Sequence, residues 1–134
     1  MSQIRKILVP MDGSKNSLRA FGKAVHLAQE HEASLIVLHV RPSTRSSKKI
    51  RKEALKELSF FDVTREAAQK RKIPFTERVI AGDPAHAIVQ YSQTHGIDLI
   101  VIGARGLSKF KKIFVGSVSD YVLSKAKTAV MLVK

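Results

Sequence analysis

The chain of 134 residues contains no cysteine, which excludes disulfides, thiolate metal sites and thiol nucleophiles. Aromatic residues are few, with two tyrosines and six phenylalanines, so little is available for stacking on nucleic-acid bases. No segment approaches the roughly 18 consecutive apolar residues of a membrane span, and residues 1–10 lack the pattern of a signal peptide. We therefore expect a cytoplasmic protein with no membrane association.

Acidic residues are scarce relative to basic ones. The 24 Lys and Arg against 11 Asp and Glu give a formal net charge of +13, and residues 41–72 alone carry a net +7. Such an excess favours anionic partners. We interpret this basic segment as a solvated helix face, with a nucleic-acid footprint or a field that attracts phosphates as the alternatives.

The length and composition are those of one globular domain. Hydrophobic residues make up 44% of the chain and charged residues 26%, and 134 residues suffice for one core but not for two. We therefore expect a single domain over residues 1–134.

Five segments have the character of β-strands. Residues 4–9, 34–40, 98–102 and 129–133 are short apolar runs typical of strands buried on both faces, whereas residues 75–80 alternate and carry charge, as edge strands do. Helical periodicity lies between them. This alternation predicts an α/β fold with a doubly wound, five-stranded parallel sheet and helices on both faces. Of the orders 2-1-3-4-5 and 3-2-1-4-5 we favour 3-2-1-4-5, with residues 75–80 outermost.

The third helix has the clearest boundaries, because Asp83 can cap it, Pro84 suits its first position and Gly96 suits a left-handed terminator. The first helix is predicted over residues 14–31. The second is predicted to bury the apolar stripe Ile50, Ala54, Leu58, Phe61 and Ala68. The fourth is predicted to begin near Gly116 or Ser117, to end near Lys125 and to bury Val118, Val122 and Leu123.

Ligands of such sheets bind beyond the carboxyl ends of the strands, where the connections leave to opposite faces. Residues 10–14, 40–41 and 103–106 follow strands one, two and four, and we expect them to line one crevice. Gly103 and Gly106 allow the backbone to approach a ligand closely. Gly116 and Ser117 offer free backbone N–H groups at a helix start, which favours an anion. Basic side chains suited to a polyphosphate surround this connection: Arg105, Lys109, Lys111 and Lys112.

The glycine spacing resembles the nucleotide-binding signature of the universal stress protein family: Gly103, two residues, Gly106, nine residues, Gly116 and Ser117. The similarity extends to ILVPMDGS at the start, LIVLHV, GDPAHAIV, DLIVIGARG, GSVSDYVL and the final AVMLVK. It covers nearly the whole chain and is weakest over residues 41–72. It implies an adenine nucleotide alpha hydrolase-like fold and a regulatory or stress-response role.

The resemblance further implies a bound adenine nucleotide, either ATP or ADP or AMP, with its phosphates on the backbone of Gly106, Gly116 and Ser117. The adenine edge would bond to the backbone of Val40. Asp12 would contact the adenosine or hold a Mg or Mn ion that accompanies the nucleotide. The complete implied set is Pro10, Met11, Asp12, Val40, Gly103, Arg105, Gly106, Gly116, Ser117, Val118 and Ser119.

A homodimer through the last strand, Ala129 to Val133, is also implied. The apolar composition of this strand agrees with a dimer, because an apolar edge strand is normally covered or paired. A monomer whose edge is shielded by helices is the alternative.

Three other functions fit the sequence less well. A receiver domain needs an acidic pair after strand one, where only Asp12 stands, and Asp83 is better explained as a helix cap. A nucleic-acid-binding module suits the charge but lacks a recognised motif. An enzyme is disfavoured because there is no GxxxxGK[ST] loop and no GxSxG elbow, and His39 is interpreted as a satisfied core residue. We therefore predict binding with at most slow hydrolysis.

Overall fold

The computed structural model describes residues 3–104 and 117–134. Their elements are β1 (Lys6–Pro10), α1 (Lys15–His31), β2 (Ser34–Arg41), α2 (Ser47–Lys70), β3 (Phe75–Ala81), α3 (Pro84–Thr94), β4 (Leu99–Gly103), α4 (Ser117–Lys125) and β5 (Ala129–Val133). This is the predicted alternation, with each strand end within two residues of its predicted position. In these described ranges, no helix is both long enough and apolar enough to cross a membrane.

All five strands form one parallel sheet in the order β3-β2-β1-β4-β5, as predicted. The first strand occupies the centre, where Leu8 pairs with Ile36 of β2 and with Ile100 of β4. All three side chains are buried. Central parallel strands are covered on both faces, which explains why their sequences are continuously apolar rather than alternating.

The predicted helices on both faces are confirmed. Successive side chains of a strand point to opposite faces. Val9 and Val37 accordingly join a core with α1 and α2, while Leu8 and Leu38 join a second core with α3 and α4. The sheet is therefore enclosed by two helical layers, and its carboxyl edge is the part where loops and helix starts gather.

Local capping agrees with the sequence for the third helix. Asp83 Oδ2 accepts a hydrogen bond from the His86 amide at 3.1 Å, Pro84 is the first helical residue, and Gly96 has a φ of +63°. These features depend only on neighbouring residues, so the sequence pattern predicts them well.

The predicted buried stripe of α2 was partly wrong. Ile50 and Leu58 are 42% and 64% exposed. The buried residues of this helix are Glu57, Phe60, Phe61, Thr64 and Ala68. A search for apolar periodicity misses this face because Glu57 occupies a core-facing position, where Arg41 neutralises it. In α4, the predicted burial of Val122 is confirmed and Val118 is partly buried, whereas Leu123 is exposed and Ser119 is buried instead.

Candidate functional site

A cleft with a volume of about 260 Å³ opens at the carboxyl edge of the sheet. It lies where β1 and β4, which are neighbours, send their chains to opposite faces, since α1 packs in one core and α4 in the other. Parallel α/β sheets bind ligands at this kind of switch point. Seven of the predicted binding residues line it: Pro10, Met11, Asp12, Val40, Gly103, Val118 and Ser119.

The remaining predicted residues are placed differently. Ser117 is exposed at the first position of α4 and is not part of the cleft lining that the described residues form. Arg105, Gly106 and Gly116 lie outside the described residues. The predicted contacts of these three with phosphate therefore stay predictions.

Three helices begin at this cleft. Its lining includes Ser14, which caps α1, Pro84, which begins α3, and Val118 and Ser119 in the first turn of α4. The amino end of a helix carries a partial positive charge and N–H groups without helical partners. The cleft is therefore suited to an anionic ligand.

The turn between β1 and α1 brings Asp12 to the cleft wall. Asp12 Oδ1 accepts a hydrogen bond from the Ser14 amide at 2.9 Å, and Gly13 between them has a φ of +84°. Ser14 Oγ then accepts from the Ser17 amide at 3.2 Å and caps the helix. The DGS sequence thus forms a turn and a helix start.

Val40 lies at the point where the ladder between β1 and β2 stops. Leu38 O accepts a hydrogen bond from the Met11 amide at 2.8 Å, so the even-numbered residues of β2 pair with β1. Odd-numbered residues pair with β3, as in the bond from the Gly82 amide to Arg41 O at 2.9 Å. Val40 therefore directs its N–H and C=O toward β1, which has already ended at this level. Both groups face the side on which the cleft opens.

The structure gives a reason for glycine at position 103 that the sequence did not reveal. A Cβ at this position would lie 2.5 Å from the carbonyl carbon and oxygen of Asn16 and 2.9 Å from the Ser17 nitrogen. The missing side chain thus makes room for the start of α1, in addition to any ligand. Asn16 Nδ2 also donates to Ala104 O, and the Ala104 amide donates to Val133 O at 2.7 Å, so this corner is held from two sides.

Sequence reasoning missed the wall of the cleft that α2 supplies. Glu53 and Lys56 of α2 line the cleft, together with His39 of β2. His39 is 3% exposed, with Nδ1 2.7 Å from Met11 O and Nε2 3.1 Å from Glu53 Oε1. The interpretation of His39 as a satisfied core residue agrees with these bonds. Its place in the cleft wall had no local signal, because its partners are distant in the chain.

The charged groups of this wall compensate one another. Burial by itself raises the pKa of Glu53, but hydrogen bonds from His39 and Lys56 lower it, and the net pKa lies below the ordinary value. The hydrogen bond from Arg41 to Glu57 raises the pKa of Arg41. The Glu53 carboxylate therefore stays ionised at neutral pH, and Glu57 accepts hydrogen bonds from Arg41.

Comparison with known proteins identifies the family. A sequence profile of the universal stress protein family matches residues 3–134. The chain belongs to the universal stress protein family. It is 35% identical to universal stress protein YxiE of Bacillus subtilis (strain 168), over 96% of this chain and 98% of that protein.

Solved universal stress proteins have the same architecture. UspA from Lactobacillus plantarum superposes with a TM-score of 0.83 at 28% identity, covering 100% of both chains. A universal stress protein in complex with cAMP superposes with a TM-score of 0.81 at 27% identity, covering 99% of both chains. The family predicted from the glycine spacing and the predicted sheet order are both confirmed.

Proposed function

We propose that this universal stress protein binds an adenine nucleotide in the cleft at the carboxyl edge of β1, β2 and β4. The observation that carries the proposal is the orientation of the Val40 N–H and C=O toward the side on which the cleft opens. A neighbouring backbone donor and acceptor match the edge of an adenine ring. The family member in complex with cAMP supports the same ligand class.

The proposed orientation puts the adenosine between Val40 and Asp12 and the phosphates toward the start of α4. Ser119 supports this orientation, because it is 1% exposed and lines the cleft within the first turn of the helix. The backbone amides predicted to bind phosphate are those of Gly106, Gly116 and Ser117. The proposed nucleotide is ATP, with ADP and AMP as the alternatives.

A Mg or Mn ion fits this proposal only as a companion of the nucleotide. Within residues 3–104 and 117–134, no three or more His, Asp or Glu side chains converge into a metal site. Mg²⁺ commonly binds through one or two carboxylates together with substrate phosphates and water. Asp12 would supply the carboxylate, and the ion would neutralise phosphate charge.

We propose a binding and regulatory role with at most slow hydrolysis. A general base must be able to accept a proton from water. His39 lines the cleft, but its two nitrogens already contact Met11 O and Glu53 Oε1. The stress-response role and the cytoplasmic location stay predictions.

We also propose a homodimer in which β5 pairs with its counterpart. The strand is the last in the sheet order, and Met131 on it is 37% exposed. An apolar edge strand with unpaired backbone groups is normally covered or paired.

Isothermal titration calorimetry with ATP, ADP, AMP and cAMP tests the nucleotide proposal. Val118→Trp places a large side chain in the cleft and should abolish binding. Leu123→Trp is the matched control, because Leu123 lies on the same helix, is 41% exposed and is not a cleft residue. Absence of heat with every nucleotide, or equal loss in both variants, would refute the proposed site. Tight oligonucleotide binding at physiological salt without nucleotide binding would favour the nucleic-acid alternative.

A further inference from the structure

A buried polar cluster connects α2 to the turn that carries Asp12. The His39 ring lies between Met11 O at 2.7 Å on one side and Glu53 Oε1 at 3.1 Å on the other. Glu57 Oε2 lies 3.7 Å from the same Nε2 atom. The cluster thus joins the end of β1, the end of β2 and the middle of α2.

The polar groups that the described residues place beside this ring are hydrogen-bond acceptors. The Met11 carbonyl can only accept, and the Glu53 carboxylate is ionised because its pKa is lowered. A neutral imidazole has one N–H and can serve only one of these sides. Both sides are satisfied together when both ring nitrogens donate, in the imidazolium form.

The ring is also confined sterically. Phe60 of α2 meets it edge to face with the ring centroids 5.2 Å apart. The same phenyl ring lies against Gly13, where an added Cβ would be 3.2 Å from Phe60 Cδ2. The turn of residues 11–14 is therefore in contact with α2 both through His39 and through Phe60.

We propose that His39 is a positioning residue of the nucleotide site: its Nδ1–H holds the Met11 carbonyl and so places Asp12, while Glu53 fixes the ring. The proposal rests on the proposed nucleotide site. The polar path runs from Lys56 Nζ to Glu53 Oε2 at 3.4 Å, through His39 to Met11 O. A shift of α2 would therefore alter the position of Asp12.

Two isosteric variants separate the two bonds of the ring. The amide nitrogen of His39→Asn can replace Nδ1 and keep the bond to Met11 O. The amide nitrogen of His39→Gln can replace Nε2 and keep the bond to Glu53. Because the bond to Met11 positions the turn, nucleotide affinity should fall roughly tenfold in His39→Gln and clearly less in His39→Asn.

Arg65→Gln is the control. Arg65 connects α2 to Glu77 of β3 outside the cleft lining, so this variant disturbs an attachment of α2 without touching His39. Its nucleotide affinity should match that of the wild type. Calorimetry gives the affinities of all four proteins.

Two measurements on the free protein make the inference independent of the nucleotide. The ¹⁵N shifts of the His39 ring should show that Nδ1 carries a proton. Hydrogen exchange of the Met11 amide, which donates to Leu38 O, should be faster in His39→Gln than in His39→Asn.

The inference is overturned if the two His39 variants behave alike in affinity and in exchange, because simple packing would then explain the residue. A wild-type ring whose Nδ1 carries no proton would also overturn it. Failure of the proposed function is a different result, namely no heat from the wild type. In that case the ring shifts and amide exchange still decide whether His39 positions the turn.

Discussion

Replacing Gly103 with alanine tests the contact between β4 and α1 most directly. The added Cβ would lie 2.5 Å from the Asn16 carbonyl carbon and oxygen and 2.9 Å from the Ser17 nitrogen. An ordinary contact begins near 3.4 Å, so the start of α1 would have to move by about 0.9 Å. These neighbours are backbone atoms, which cannot change rotamer to relieve the overlap.

The loss in free energy of unfolding that we expect for Gly103→Ala is at the upper end of the range for overpacking. Inserting a methyl group into a packed site typically costs about 1 to 3 kcal/mol. The first turn of α1 is fixed by the Ser14 cap and by the bond from Asn16 to Ala104, so relaxation is limited. We expect a loss of about 3 kcal/mol in the free energy of unfolding, or roughly 10 °C in the melting temperature for a chain of this size.

Urea unfolding followed by circular dichroism measures this loss, with Gly22→Ala as the matched control. Gly22 lies in α1, the helix whose start contacts Gly103. It is exposed, and a Cβ there would meet nothing within 4 Å. Since alanine favours helix over glycine, Gly22→Ala should gain up to about 1 kcal/mol. The reasoning is refuted if Gly103→Ala unfolds within about 0.5 kcal/mol of the wild type, which is the range of neutral surface substitutions.

Three further predictions concern an ion pair, a helix cap and the dimer. Glu53→Gln removes a carboxylate whose pKa is lowered by folding below its ordinary value, so it should destabilise the protein at pH 7. Urea unfolding at several pH values should show this deficit shrinking as the pH falls below the ordinary pKa of a glutamate, and a deficit independent of pH would contradict the role of the charge. Ser14→Ala should cost about 1 kcal/mol by loss of the cap while Ser14→Gly costs only a few tenths, and equal losses in urea unfolding would contradict the capping role. Met131→Lys should convert the proposed dimer to a monomer in size-exclusion chromatography with light scattering, and an unchanged dimer would argue against pairing through β5.

The sequence by itself determined the features that depend on short-range patterns. Continuous apolar runs alternating with helical periodicity gave five parallel strands, and the favoured order proved correct. The cap at Asp83 and the turn at residues 12–14 followed from neighbouring residues alone. The glycine spacing indicated the family, and seven of the eleven candidate binding residues do line one cleft.

Only the tertiary structure decided which residues of α2 face inward and what the cleft wall contains. Glu57 can occupy a core position because Arg41 neutralises it, and His39 joins the cleft because Met11 and Glu53 supply its acceptors. These partners are 14 to 28 residues apart in the chain. A buried charge is tolerable only when its partner is present, and the sequence does not state which distant side chains will meet.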